Sequence, residues 1–212
     1  ERSNDFSNYP RNLNKDISIL KKIKIDYLYL PKFKEIYPKG PNRNIRINPF
    51  RRDLCGKFRS GHFEAVVDVI DRFIKIIKPR KIYFGEKDMQ QFMLIKDFVN
   101  KNNIKAKIIS CKTIREKGGL AYSSRNFLLS KDEIKKASFA TKIIKKFHLL
   151  TKKNFKNLKK INNLRNKIES KEIKIEYLEI RNKIDFSKKV KKSNFKIFIS
   201  FYINNIRLID NF

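Results

Sequence analysis

The sequence predicts an α/β fold with a parallel sheet, followed by a smaller α+β unit, and three observations carry that expectation. Apolar residues from 63 to 77 (Phe63, Val66, Val67, Ile70, Phe73, Ile74, Ile77) recur at helical spacing and form one stripe. Short apolar runs at 82–84 and 106–110 flank a helical stretch at 89–99, the alternation of parallel strands joined by right-handed crossovers. Beyond Gly118-Gly119 the style changes to helices followed by two alternating runs, at 173–180 and 195–203. The expected division is therefore 1–112 and 113–212.

In order, residues 1–12 are polar and contain Tyr9-Pro10-Arg11, a loop whose proline forbids an internal helical position. Leu13, Ile17, Leu20 and Ile23 then fall at helical spacing, and Tyr27-Leu28-Tyr29-Leu30, stopped by Pro31, reads as a buried strand. Residues 37–49 are irregular, with Ile45 and Ile47 alternating as a short strand. In the 63–77 helix, Glu64/Asp68, Asp68/Arg72 and Asp71/Lys75 stand at i,i+4 away from the stripe, and Pro79 ends it. Ser130 or Asp132 caps a helix carrying Ile134, Ala137, Ala140 and Ile144, and a lysine-rich helical segment covers 154–168. The two alternating runs read as half-buried strands, with 182–193 an exposed loop between them.

The chain has 212 residues, enough for one large or two small domains. Its 52 Lys+Arg against 21 Asp+Glu give a formal charge of +31, which by itself suggests nucleic acid or a membrane surface. The lysines, however, are spread along the whole chain among Ile, Asn and Phe rather than gathered on one face, so the charge reads as compositional drift with no specific nucleic-acid partner. Cys55 and Cys111 make neither a metal-ligand spacing nor a disulfide framework; both read as core or near-core residues in a reducing cytoplasm. No run approaches the ~20 apolar residues of a membrane helix. The sequence opens on Glu1 rather than methionine, as a piece of a longer product would.

The chemistry concentrates between 81 and 126. The 82–84 run turns through Gly85-Glu86-Lys87-Asp88 into a helix, and a glycine turn with backbone N–H groups and a lysine beyond a parallel strand suits a phosphate. A second polar turn follows at Ser123-Ser124-Arg125-Asn126. Singly, each is ordinary: a solvated loop, a capping turn. Gln90-Gln91 would be exposed helix surface, His62 a helix-start histidine bonded to backbone, and His148 a surface residue.

Together and in order, the motifs resemble pantothenate synthetases, the pantoate and β-alanine ligases of the adenylate-forming nucleotidyltransferase superfamily. The residues carrying the likeness are Phe84-Gly85-Glu86-Lys87-Asp88-Met89-Gln90-Gln91 and Gly119-Leu120-Ala121-Tyr122-Ser123-Ser124-Arg125-Asn126. Tyr9-Pro10-Arg11, Glu35-Ile36-Tyr37-Pro38, Arg59-Ser60-Gly61-His62-Phe63 and Arg207-Leu208-Ile209-Asp210-Asn211 fall in the family's order around them.

The resemblance implies a Rossmann-like first domain and an α+β lid, with a homodimer formed through the first domain. It also implies a two-step reaction in which pantoate attacks ATP and β-alanine displaces AMP, with Mg2+ accompanying ATP. By similarity Gly85, Glu86, Lys87, Asp88, Ile114, Tyr122, Ser123, Ser124 and Arg125 would contact ATP, and Gln91 would bind pantoate. Lys87, Arg125 and Arg59 would be catalytic. The sequence departs from the family at Cys55 (glutamate in the family), Ser60 (proline) and Gly118 (aspartate), and the family's first βα unit would precede Glu1. The alternative is a decayed synthetase acting as a basic RNA-binding protein.

Overall fold

The computed structural model describes residues 12–42 and 44–212; the Tyr9-Pro10-Arg11 motif lies outside them. Helix α1 (Leu13–Lys22) is capped by Asn12, whose side chain accepts the Lys15 amide at 3.0 Å, and buries none of its residues. The expected strand at 27–30 is not one. Tyr27 is 94% and Leu30 55% exposed, and an apolar run becomes a strand only where a neighbour completes its backbone hydrogen bonds, which none does among the described residues. Nor do Ile45 and Ile47 form a strand: both pack against the helical core from irregular backbone, so their alternation marked burial and not a ladder.

After the short helices α2 (Phe33–Ile36) and α3 (Cys55–Phe58), the predicted stripe forms α4 (His62–Ile77). Its expected charge pairs are reassigned in part. Asp68 pairs with Arg72 at 2.7 Å and Asp71 with Lys75 at 2.5 Å, but Glu64 and Asp68, both carboxylates, repel, and Glu64 takes Arg51 instead. The Asp68–Arg72 pair also anchors the preceding loop. Asp68 accepts the Asn42 amide at 2.9 Å, and Arg72 donates to the carbonyls of Ile36 and Gly40 at 2.9 and 3.0 Å.

β1 (Lys81–Gly85) and β2 (Lys107–Cys111) are parallel, in register from Lys81↔Lys107 to Gly85↔Cys111, with α5 (Met89–Lys101) as the crossover. Ile82, Phe84 and Ile108 cover a core of Val67, Ile74, Ile95 and Val99 from α4 and α5. The parallel arrangement inferred from sequence is thus present. Cys111, expected near the core, is exposed at the end of β2; Cys55 is buried.

The C-terminal half begins with α6 (Lys131–Lys153), capped by Ser130 in a reciprocal arrangement with Glu133, so Ser130 rather than Asp132 starts it. The lysine-rich segment divides into a 3₁₀ turn, Phe155–Lys160, and α7 (Ile161–Glu169). Strands β3 (Lys174–Asn182), β4 (Phe195–Ile203) and β5 (Ile206–Asn211) form an antiparallel sheet in that order. β5 contains the Arg207–Asn211 motif.

β4 is buried on both faces, not half-buried as its alternation suggested. Ile197, Ile199, Phe201 and Ile203 pack with residues of α6 and α7. The opposite face, through Tyr177, Phe198 and Ile209, packs on Leu54, Phe63 and Leu94 from the first half of the chain. The second half therefore docks on the first through an apolar layer. Phe186 joins it from the 183–194 loop, 1% exposed and stacked on Phe50 at 5.1 Å, a burial worth about 2–3 kcal/mol. That loop is otherwise exposed as expected. His148, expected at the surface, is 8% exposed and lies against Phe195, because β4 packs on this side of α6.

Candidate active site

At the carboxyl end of β1 the chain turns through the 3₁₀ segment Glu86–Asp88 into α5. The turn is held from the far end of the sequence. Asn211, the last residue of β5, donates from Nδ2 to the carbonyls of Glu86 and Lys87 at 2.7 and 3.0 Å. Next to it, Asp210 is clasped by Arg115 through two parallel bonds of 2.6 and 2.9 Å. Burial pushes the Asp210 carboxyl pKa up, and the Arg115 guanidinium opposes the rise. Lys87 thus projects from a backbone fixed on two sides.

Lys87 lines a cleft with Arg59, His62, Asp88, Gln91 and Asp210. Burial pulls its ammonium pKa below the ordinary lysine value, against the raising effect of Asp88 and Asp210. A partly desolvated ammonium interacts more strongly with an incoming anion than one in bulk water. His62 opens α4 after Gly61, whose φ of +74° is the left-handed conformation glycine adopts without steric cost. Burial, Arg59, Arg207 and Arg125 lower its pKa to about 4, so the imidazole is neutral at pH 7.

The second turn arrives alongside. Ser123 Oγ accepts the Arg125 amide at 3.3 Å, and buried Asn126 donates to Glu116 and to the Ala121 carbonyl at 2.7 and 3.1 Å. Lys87 Nζ reaches the Tyr122 carbonyl at 3.5 Å, which joins the two turns. Ile114, 73% exposed, accepts the Tyr122 amide at 3.1 Å. Of the residues singled out from sequence, Arg59, Lys87, Asp88 and Gln91 line the cleft together. Gly85, Glu86, Ile114, Tyr122, Ser123, Ser124 and Arg125 do not line it; the charge of Arg125 nevertheless acts on both Lys87 and His62.

The glutamine pair divides its labour. Gln90, expected on the helix surface, is buried. It donates to the carbonyls of Phe50 and Asp53 at 2.9 and 2.7 Å and accepts the Cys55 amide at 3.2 Å. Those bonds pin a tight corner. Leu54 sits at φ +46°, and a Cβ at Gly56 would fall 1.5 Å from the Arg51 carbonyl oxygen, so only glycine fits there. Gln91 is left to face the cleft.

Sequence reasoning also missed a polar group behind the cleft. The Cys55 thiol lies 3.0 Å from the Tyr177 hydroxyl, and Arg207 donates to that sulfur at 3.6 Å and to Glu176 at 2.6 and 3.0 Å. Arg207 therefore has its carboxylate in Glu176, and the thiol is an ordinary buried neighbour. The short apolar run Ile206, Leu208 and Ile209 was the available signal for β5, the strand that brings Arg207, Asp210 and Asn211 here.

A mixed α/β protein with a cleft lined by Lys87 and Arg59 at the end of a parallel strand is the class that this fold and cleft define. Comparison with known proteins narrows it. The family model for pantoate-beta-alanine ligase matches residues 1–212. The pantothenate synthetase of Pseudothermotoga lettingae is 36% identical over 98% of this chain and 75% of its own length. That of Francisella tularensis subsp. mediasiatica is 41% identical over 99% and 72%. The crystal structure of pantothenate synthetase from Thermus thermophilus superposes with a TM-score of 0.89 at 27% identity, over 100% of this chain and 78% of that one. The pantoate-beta-alanine ligase of Francisella tularensis, in complex with beta-gamma ATP and beta-alanine, gives 0.79 at 38%, over 99% and 72%. The chain belongs to the pantoate-beta-alanine ligase family.

Proposed function

We propose that this chain condenses pantoate with β-alanine at the expense of ATP, forming pantothenate through a pantoyl adenylate and releasing pyrophosphate and AMP. Supporting this are its family, the relatives of that name, and above all one observation: Lys87, partly desolvated, stands in a cleft with Arg59 and Gln91 on a backbone held by Asn211. Both steps are displacements at phosphorus or at an activated acyl carbon. They call for positioning and for stabilisation of developing negative charge rather than for a protein nucleophile. The cleft offers that kind of group.

In the first step, a pantoate oxygen bonds to the α-phosphorus as the bond to pyrophosphate breaks. Lys87, Arg59 and Arg125 neutralise the charge that accumulates on the phosphate oxygens, and Gln91 orients pantoate with its amide. His62, neutral at pH 7, serves as a hydrogen-bonding group. In the second step the β-alanine nitrogen adds to the acyl carbon and AMP departs with the electron pair of the broken bond. The backbone of Gly85 to Asp88 and the residues Ile114, Tyr122, Ser123 and Ser124 frame the nucleotide. Mg2+ bound with the triphosphate would supply charge neutralisation at the phosphates, and the exposed Asp88 carboxylate in the cleft is the group that would hold it.

The same reading divides the chain into a Rossmann-like nucleotidyltransferase domain, 1–112, and a lid, 113–212, and makes the molecule a homodimer through the first. It places the enzyme in the cytoplasm; no helix among the described residues is long and apolar enough to cross a membrane. The test is pantoate-dependent exchange of labelled pyrophosphate into ATP, followed by pantothenate and AMP formation on adding β-alanine. A folded chain that supports neither would overturn the proposal.

A further inference from the structure

A second concave site lies on the side of the C-terminal sheet away from this cleft's lining. It is a cavity of about 750 Å³ walled by His148, Lys152, Lys183, Lys191, Lys192 and Lys196, with the rings of Phe195 and Phe212, and no Asp or Glu lines it. The five lysines come from three elements: the last turn of α6, the 183–194 loop and the start of β4. The lysine charge converges here.

A second observation is independent of the lysines. His148 is 8% exposed, and its Nε2 is buried with no hydrogen-bond partner. An orphaned buried polar atom costs about 1–3 kcal/mol, so such groups call for an explanation. Burial first, and the charge of Lys152 and Lys196 with it, hold the imidazole pKa down at about 4, against a backbone hydrogen bond with Phe212 that raises it. Negative charge in the cavity would relieve the lysines and allow Nε2 to take a proton.

The cavity is also wired to the first cleft. Lys196 lines it and donates to Asn211 Oδ1 at 2.6 Å. The Nδ2 of that same Asn211 holds the carbonyls of Glu86 and Lys87. An anion that draws Lys196 toward itself takes a partner from the residue that fixes the Lys87 turn.

We propose that this cavity is a regulatory site for a small oligophosphate anion, whose occupancy loosens the Lys87 turn through Lys196 and Asn211. Free oligophosphate and the phosphate tail of a nucleotide share the recognised chemistry. Five lysines gathered in one concavity match the concentrated charge of a compact anion better than a nucleic-acid strand, which needs a continuous cationic track with stacking platforms. The consequence for the turn rests on the role proposed above for Lys87; binding itself does not.

The whole chain contains two histidines, so imidazole NMR reports on each cleft separately. Titration with inorganic tripolyphosphate is expected to shift the His148 resonances and raise its pKa from about 4 toward the ordinary value. The Lys183→Gln/Lys191→Gln/Lys192→Gln variant, altered only at exposed loop positions, should fold as the parent does and bind at this site about tenfold more weakly or worse. Titration with ADP and with AMP separates the sources: a nucleotide that moves His148 at lower concentration than tripolyphosphate assigns the site to the nucleotide tail. Amide exchange at residues 86–88 should quicken on tripolyphosphate binding in the parent and not in the loop variant. An unmoved His148, undiminished binding by the loop variant, or a single-stranded oligonucleotide outcompeting tripolyphosphate would overturn the site. A shifted His148 with unchanged exchange at 86–88 would overturn the coupling.

Discussion

Gln90 reaches back from α5 to accept the Cys55 amide at 3.2 Å, while Gln91, its neighbour in sequence, faces the cleft. Two identical side chains thus separate into a fastener and a group that lines the cleft. Gln90→Ala should leave the Cys55 amide unpaired and take one of two donors from each of the Phe50 and Asp53 carbonyls, which keep the Asp53 and Gly56 amides; it should lower stability by about 1–3 kcal/mol, visible as an earlier denaturant midpoint. Gln91→Ala should leave that midpoint unmoved and raise KM for pantoate on the order of tenfold, as loss of a ligand hydrogen bond does. The opposite pattern would exchange the two roles.

Lys87→Ala should preserve the fold, since Lys87 belongs to no apolar cluster. It should lower the rate of adenylate formation by a factor on the order of 10² to 10³, the effect of removing one preorganised charge contact. Pyrophosphate exchange measures that step directly, and an unchanged rate removes Lys87 from the chemistry.

Asn211→Ala removes the two bonds to the Lys87 turn and the partner of Lys196 without touching the cleft wall. The expected result is a fall in kcat on the order of tenfold, for a charge displaced rather than lost. Asn211→Asp keeps an acceptor for Lys196 but cannot donate to carbonyls, so it should behave like the alanine variant. If it instead behaves like the parent, the donation to Glu86 and Lys87 is unimportant.

Both histidines have folded-state pKa values near 4, below the ordinary 6.5, with burial as the leading cause. The unfolded chain therefore binds more protons than the native one between those values. Stability should be fully present above about pH 6.5, fall as pH drops through the window to about 4, and lose nothing further from these groups below it. Denaturant midpoints at pH 7.5, 5.5 and 4 read the slope. His148→Phe should flatten it, by removing one of the two groups.

What the sequence disclosed follows the range of the forces involved. Helical periodicity and strand alternation are local, and so the 63–77 stripe and the 82–84 and 106–110 runs were found within a residue or two. Burial on a second face is not local. Nothing along β4 announces that Leu54, Phe63 and Leu94 will cover it, nor does anything along α6 announce that Phe195, far along the chain, will lie against His148. The site was legible in proportion to its motif content. Lys87, Arg59 and Gln91 were named beforehand and share the cleft, whereas Gln90, Asp210 and Asn211 act through partners distant in sequence, which no window of neighbouring residues reveals.

The bond from Asn211 to Lys87 spans 124 residues, and that separation has a meaning in time. At roughly 5–20 residues per second on the ribosome, about 6–25 s pass between the synthesis of Lys87 and that of the residue that fixes it. Until then the nascent chain carries Lys87 on a turn without this tether. Any product that stops short of β5, whether by early termination or by proteolysis, retains Arg59, Lys87, Gln91 and Arg125 yet lacks the group that holds the Glu86–Lys87 turn in place.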